Sequence, residues 1–127
     1  MGIPVYFKTL ISQYQDDILV KAHLSGIQTL CLDLNCLIHP CCQRVANKDE
    51  ISEDAMMDEI VEGIETLVQY TGVSKTLYIA IDGVCPKAKM KQQRERRHKS
   101  VFQDKPWDTN AISPGTYFMN RLNDVLK

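Results

Sequence analysis

Two short apolar runs, each closed by a carboxylate and separated by one amphipathic helical pattern, constrain this chain more than any other feature. The first is residues 27–34, Ile27-Gln28-Thr29-Leu30-Cys31-Leu32-Asp33-Leu34. The second is residues 76–82, in which Leu77 to Ile81 lead into Asp82, with Gly83 and Pro86 close behind. Runs of this length bounded by turn-formers read as strands. The near-continuous apolar stretch after Thr29 fits a strand covered on both faces. Between the runs, Ser52 suits a helix N-cap, with Glu53 and Asp54 favourable in the first turn. Met57, Ile60, Val61, Ile64, Leu67 and Val68 trace one helix face through Tyr70, and Gly72 fits just past its end.

Strand 27–34, helix 53–70 and strand 76–82 make a βαβ unit, and such units are right-handed with parallel strands. Parallel strands end on the same sheet edge, so Asp33 and Asp82 emerge together. Neighbouring strands would set them about 5 Å apart, or about twice that with one strand between. Either spacing suits carboxylates flanking one or two divalent cations, where paired metals sit about 3.5–4 Å apart. A carboxylate at the end of a buried strand is expected to be paired or metal-bound. The crevice beyond the carboxyl ends of the strands is also where open α/β sheets bind ligands.

The segment after Pro86 is cationic and helical in composition to about Lys99. Residues 87–99 hold seven Lys or Arg and one acid, a net +6, which leaves −7 on the rest of a chain whose total is −1. A local basic stripe on an acidic chain is the footprint of a phosphate-binding site. Lys89, Gln93, Arg96 and Arg97 fall at i, i+4, i+7 and i+8 and share a face. Arg forks, a Lys point charge and the Gln93 carboxamide can together hold a terminal phosphate. A solvated face is the alternative for any such run. Two acids with Mg²⁺ beside a cationic helix imply metal-assisted phosphodiester hydrolysis, although two carboxylates are too few for a robust two-metal site.

The remaining segments carry less chemistry. Residues 3–14 read as a helix with Pro4 in its first turn and Ile3, Phe7, Leu10, Ile11 and Tyr14 on one face, packing on a core. Residues 15–26 are a polar connection, and 47–51 and 101–112 are loops, with Trp107 anchoring the second or stacking on a base. Ser113-Pro114-Gly115-Thr116 starts a last helix with Phe118, Met119, Leu122, Val125 and Leu126 on its apolar stripe. The chain stops inside that pattern, as a truncated chain would. Cys36, His39, Cys41 and Cys42 crowd seven residues, but structural zinc usually takes two separated ligand pairs and no second pair follows. Five cysteines without a disulfide framework favour a reducing compartment, cytoplasm or nucleus. No apolar stretch approaches the about 20 residues of a membrane helix, and the N-terminus has no signal-peptide pattern.

The chain resembles the eukaryotic 5′-3′ exoribonucleases, cytoplasmic and nuclear, as the N-terminal portion of their nuclease domain over residues 1–127. The resemblance rests on four motifs in order. They are Met1-Gly2-Ile3-Pro4 followed by Tyr6 and Phe7; Leu32-Asp33-Leu34-Asn35 with Ile38-His39; Ile79-Ala80-Ile81-Asp82-Gly83-Val84 through Arg97; and Asn110 with Ile112-Ser113-Pro114-Gly115-Thr116 and Phe118-Met119. It implies an α/β fold, a parallel-sheet core with flanking helices of the PIN/FEN-like nuclease kind, present here in its N-terminal part. It implies Asp33 and Asp82 as catalytic carboxylates and ligands of Mg²⁺ or Mn²⁺. Lys89, Gln93, Arg96 and Arg97 would bind the 5′-monophosphate of single-stranded RNA, His39 would stack near the first nucleotides, and Asn35 would sit near the scissile bond. Cys85, Lys87 and His98 stand where the family usually has Ala, Arg and an aromatic. Shorter connections hint at a divergent viral or protist member. The family's later Glu-rich stretch and Asp pair have no counterpart, so a downstream segment or a second polypeptide would complete the active site. The competing expectations are a non-catalytic module that binds 5′-phosphorylated RNA without the full metal site, and a DNA flap or 5′-nuclease relative, against which the run from Asp82 to Arg97 argues.

Overall fold

The computed structural model describes residues 5–18, 26–48, 51–101 and 106–127. Its elements run α1 (Tyr6–Ile18), β1 (Thr29–Asp33), α2 (Asn35–Ala46), α3 (Glu53–Thr71), β2 (Thr76–Ala80), α4 (Lys87–Val101), a 3-10 turn (Thr109–Ala111) and α5 (Tyr117–Val125). This is a mixed α/β architecture around a two-stranded parallel sheet. β1 and β2 are adjacent, in register from Thr29 opposite Thr76 to Asp33 opposite Ala80. The Leu34 N–H continues the ladder to the Ala80 carbonyl at 2.8 Å.

The crossover between the strands contains two helices. α3 is the one the periodicity predicts. The Ser52 hydroxyl caps it by accepting from the Ala55 N–H, two acids occupy its first turn, and Gly72 ends it in the left-handed region at φ 60°. That φ is why glycine serves there. α2 has no counterpart in the sequence expectations. It runs straight out of β1 through Pro40 and packs on α3 through Ile38, Cys41, Cys42 and Val45, all buried. Arg44 of α2 and Glu59 of α3 bridge the pair at 2.7 Å on the solvent side. α5 closes the core with Phe118, Met119 and Leu122. The Thr116 hydroxyl caps it, accepting from the Met119 N–H at 3.3 Å, and Arg121 reaches back to Asp54 at the start of α3. The core therefore lies on one side of the sheet, between α2, α3 and α5.

Several expectations need correction. β1 is not covered on both faces. Leu32 and Ile79 pack against the core, whereas Cys31, Asp33, Tyr78 and Ala80 on the other face are exposed. The apolar run is continuous because Cys31 is an apolar letter, yet in a strand alternate residues face opposite sides. α1 starts at Tyr6, kinks at Tyr14 and runs to Ile18, beyond the expected end at 14. Its Phe7 and Tyr14 are exposed and no described residue of it enters the core, so it is not the core-packing helix its periodicity predicts. Ile3, Pro4 and residues 19–25 of the expected connection lie outside the described residues. The last helix spans Tyr117–Val125, with the Leu126 N–H bonded to the Leu122 carbonyl. Val125, expected on the apolar stripe, is exposed. The loop at 101–112 contains the 3-10 turn.

Candidate active site

The parallel register carries Asp33 and Asp82 to the same sheet edge. Asp33 is the last residue of β1, opposite Ala80, and Asp82 lies two residues beyond β2 on the same parity. One strand spacing across and two residues along separate their backbones by about 8 Å. Their side chains do not line one cavity. Asp82 borders a cleft of about 270 Å³ with Asn35, His39, Gly83, Gln93, Arg97 and the turn from Thr109 to Pro114. Asp33 borders a separate hollow with Leu32, Cys36, Leu37 and Leu67.

Asn35, the first residue of α2, organises this edge. Its side-chain oxygen accepts the Asp82 N–H at 3.0 Å. One side chain thereby ties the β1–α2 junction to the β2–α4 junction. His39 stands one helical turn further along α2 and lines the same cleft. Opposite, α4 delivers Gln93 and Arg97, which also border a second cavity of about 550 Å³ with Met90, Arg94 and His98. Thus α4 presents residues 90, 93, 94, 97 and 98 to the clefts, a helical face rotated from the expected one. Gln93 and Arg97 are common to both sets. Lys89 is exposed and lines neither cavity. The Arg96 side chain lies outside the described residues.

The wall formed by Thr109, Asn110, Ile112, Ser113 and Pro114 falls in the expected loop and helix start. Its shape comes from two capping arrangements. The Asp108 carboxylate accepts the Asn110 N–H at 2.9 Å. The Thr116 hydroxyl donates to the Ala111 and Ser113 carbonyls. Of these wall residues the motif resemblance touched Asn110, Ile112, Ser113 and Pro114. Met90 and Arg94 had no signal beyond helical phase.

The two carboxylates thus border different hollows. Among the described residues no group of three or more His, Cys, Asp or Glu side chains is placed to hold a metal ion. That includes the crowded Cys36, His39, Cys41 and Cys42. Cys41 and Cys42 point into the core, and burial raises both thiols, Cys42 to about 12. They are packing residues. No helix of the described residues is long and apolar enough to cross a membrane.

The comparisons with known proteins agree on one family. Residues 1–106 match the family described as XRN 5'-3' exonuclease N-terminus. The whole chain aligns with human 5'-3' exoribonuclease 1 at 32% identity, covering 9% of that protein. It aligns with Candida albicans 5'-3' exoribonuclease 2 at 34% identity, covering 18% of it. For Schizosaccharomyces pombe 5'-3' exoribonuclease 1 the identity is 32% over 99% of this chain and 11% of the relative. The chain thus spans less than a fifth of these relatives' length, and it belongs to the XRN 5'-3' exonuclease N-terminus family.

Proposed function

We propose that the chain is the N-terminal part of a 5′-3′ exoribonuclease nuclease domain, with a sheet of the PIN/FEN-like kind, and that it recognises single-stranded RNA through a 5′-monophosphate. The observation that carries the reading is the shared cleft in which Gln93 and Arg97 of α4 face Asn35, His39 and Asp82 at the sheet edge. A guanidinium fork and a carboxamide on one side suit a terminal phosphate. The reading carries the expectation that a capped or triphosphorylated end is disfavoured. In this reading Lys89 and Arg96 belong to the same cationic segment and add to its net positive charge.

Hydrolysis in this reading needs Mg²⁺ or Mn²⁺, with Asp33 and Asp82 as the two carboxylates this chain contributes and further acids from a downstream segment or a second polypeptide. Asp33 and Asp82 would help hold such an ion, which would supply activation of a water and charge stabilisation at the leaving oxygen. The role of this chain is to bind and orient the 5′ end, with Asn35 holding the Asp82 backbone in place. The cellular setting that goes with this function is cytoplasm or nucleus.

A second reading is favoured by the placement of Asp33 and Asp82 in different hollows. In it the chain is a non-catalytic module that binds 5′-phosphorylated RNA. One experiment separates the two. The chain is incubated with 5′-monophosphorylated and 5′-hydroxyl RNA in Mg²⁺, alone and with a polypeptide carrying the missing acidic segment. Phosphate-dependent binding with turnover only in the reconstituted mixture supports the nuclease. Phosphate-dependent binding without turnover in either supports the module. Equal binding of 5′-hydroxyl RNA sinks both.

A further inference from the structure

The cavity of about 550 Å³ shares Gly83, Gln93, Arg97, Asn110 and Pro114 with the phosphate cleft, so the two spaces adjoin at Gln93 and Arg97. They differ at their far ends. The cleft runs to Asn35, His39 and Asp82 at the sheet edge, whereas the cavity runs to Val84, Cys85, Met90, Arg94 and His98. A terminal phosphate held by Gln93 and Arg97 therefore sits at the boundary, with the nucleotide it belongs to on the Asp82 side. The space on the other side is open to a group attached to that phosphate. We infer that the cavity holds a second phosphate, so that the chain accepts RNA ending in a 5′-diphosphate. The inference rests on the 5′-monophosphate reading above and extends it.

The lining chemistry selects a phosphate. Met90, Gln93, Arg94, Arg97 and His98 fall at i, i+3, i+4, i+7 and i+8, one face of α4. Residues three apart on a helix are neighbours, with about 5–6 Å between Cβ atoms. The Arg94 side chain thus stands within reach of a group bonded to the phosphate that Arg97 holds. A guanidinium presents a planar fork of N–H donors that matches phosphate oxygens. The His98 imidazole adds a further N–H donor. Glu95, the one acid of α4, lines neither space. Val84, Cys85, Met90 and Pro114 are uncharged surface that does not repel an anion. Arg94 is exposed, so its contact is screened by water and the gain it gives is modest. The ends disfavoured in the reading above, a cap and a triphosphate, are larger than a diphosphate.

The test compares three RNAs of one sequence, ending in a 5′-hydroxyl, a 5′-monophosphate and a 5′-diphosphate. The whole chain binds them without divalent cation, so that no strand is cut. The 5′-diphosphate strand is expected to bind roughly threefold to tenfold tighter than the 5′-monophosphate strand. Arg94→Ala is expected to remove that advantage. Lys91→Ala deletes the same charge from an exposed position that lines neither space, and is expected to keep it. Equal or weaker binding of the 5′-diphosphate strand, with monophosphate still preferred over hydroxyl, overturns the second phosphate site and leaves the phosphate reading standing. An advantage that survives Arg94→Ala overturns it too. So does one that Lys91→Ala removes as fully, because the added charge is then felt by the helix as a whole. Equal binding of all three ends takes down both readings.

Discussion

The N–H of Asp82 donates to the side-chain oxygen of Asn35 at 3.0 Å, and this bond joins the two strand ends that the site is built on. Asp82 sits beyond the last ladder position of β2, so little else in the sheet fixes its backbone. Asn35→Ala should therefore cost about 1 kcal/mol of stability, a fall of roughly 3–5 °C in Tm for a chain this size. It should also weaken binding of 5′-phosphorylated RNA, because the cleft wall loses its register with α4. Asn35→Asp keeps an acceptor for the N–H but places a second carboxylate in the cleft. Its Tm should stay near that of the parent, while RNA affinity falls through repulsion of the phosphate. Paired thermal melts and titrations distinguish these outcomes. Equal Tm values for the two variants would remove the bond from the account.

The α4 face makes a second prediction, because the clefts divide its cations. Arg97 lines both cavities, whereas Lys89 lines neither. Arg97→Ala should lower affinity for 5′-phosphorylated RNA roughly tenfold or more and abolish preference over 5′-hydroxyl RNA. Lys89→Ala should change affinity by less than about threefold, an effect of exposed charge that added salt erases. Competition binding with the two RNA ends measures both. Equal losses would mean that the helix meets RNA with the face its spacing predicts.

The buried thiols tie stability to alkaline pH. Burial raises Cys41 from the ordinary value of 9.0, and raises Cys42 to about 12. Folded chains hold these protons at pH values where unfolded chains have released them. Their contribution is complete below about pH 9 and is lost as pH climbs through the folded values. Tm should fall between about pH 9 and 12, and Cys42→Ala should flatten that decline. At neutral pH a thiol-alkylating reagent should label the exposed Cys31 and Cys36 and spare Cys41 and Cys42 until the chain is unfolded. Mass spectrometry of the labelled sites reads this directly.

The same cysteines explain what was hard to see in the sequence. Leu34, Ile38, Cys41, Cys42 and Val45 recur at i, i+4, i+7, i+8 and i+11, a clean helix face. It becomes visible only when Cys counts as a small hydrophobe and Pro40 is not allowed to break the pattern. α3 was legible because its stripe, Ser52 cap and Gly72 terminus agree with one another. The parallel pairing of β1 and β2 followed from that helix lying between them. The direction in which α4 faces did not follow. Its charges are spread round the whole helix, so no apolar stripe sets its phase, and contact with the 109–114 turn selects the face containing Gln93 and Arg97.

The packing of α2 on α3 supplies the last prediction. Gly63 sits in the middle of α3, where an added Cβ would meet Leu37 Cδ1 at 3.3 Å and Cys41 Sγ at 3.4 Å. Glycine inside a helix costs about 1 kcal/mol relative to alanine, so its presence reflects close approach of the two helices. Leu37 is a half-buried, flexible side chain able to yield a few tenths of an ångström. Gly63→Ala should thus be nearly neutral, within about 1 kcal/mol, as the helix gain offsets the crowding. Gly63→Leu has no such room. It should cost about 1–3 kcal/mol by forcing α2 off α3. Since α2 carries both Asn35 and His39, that variant should also lose affinity for 5′-phosphorylated RNA at temperatures where it remains folded. Urea unfolding combined with RNA titration tests the pair. A Gly63→Leu chain with parental stability and affinity would show that α2 can move without disturbing the cleft.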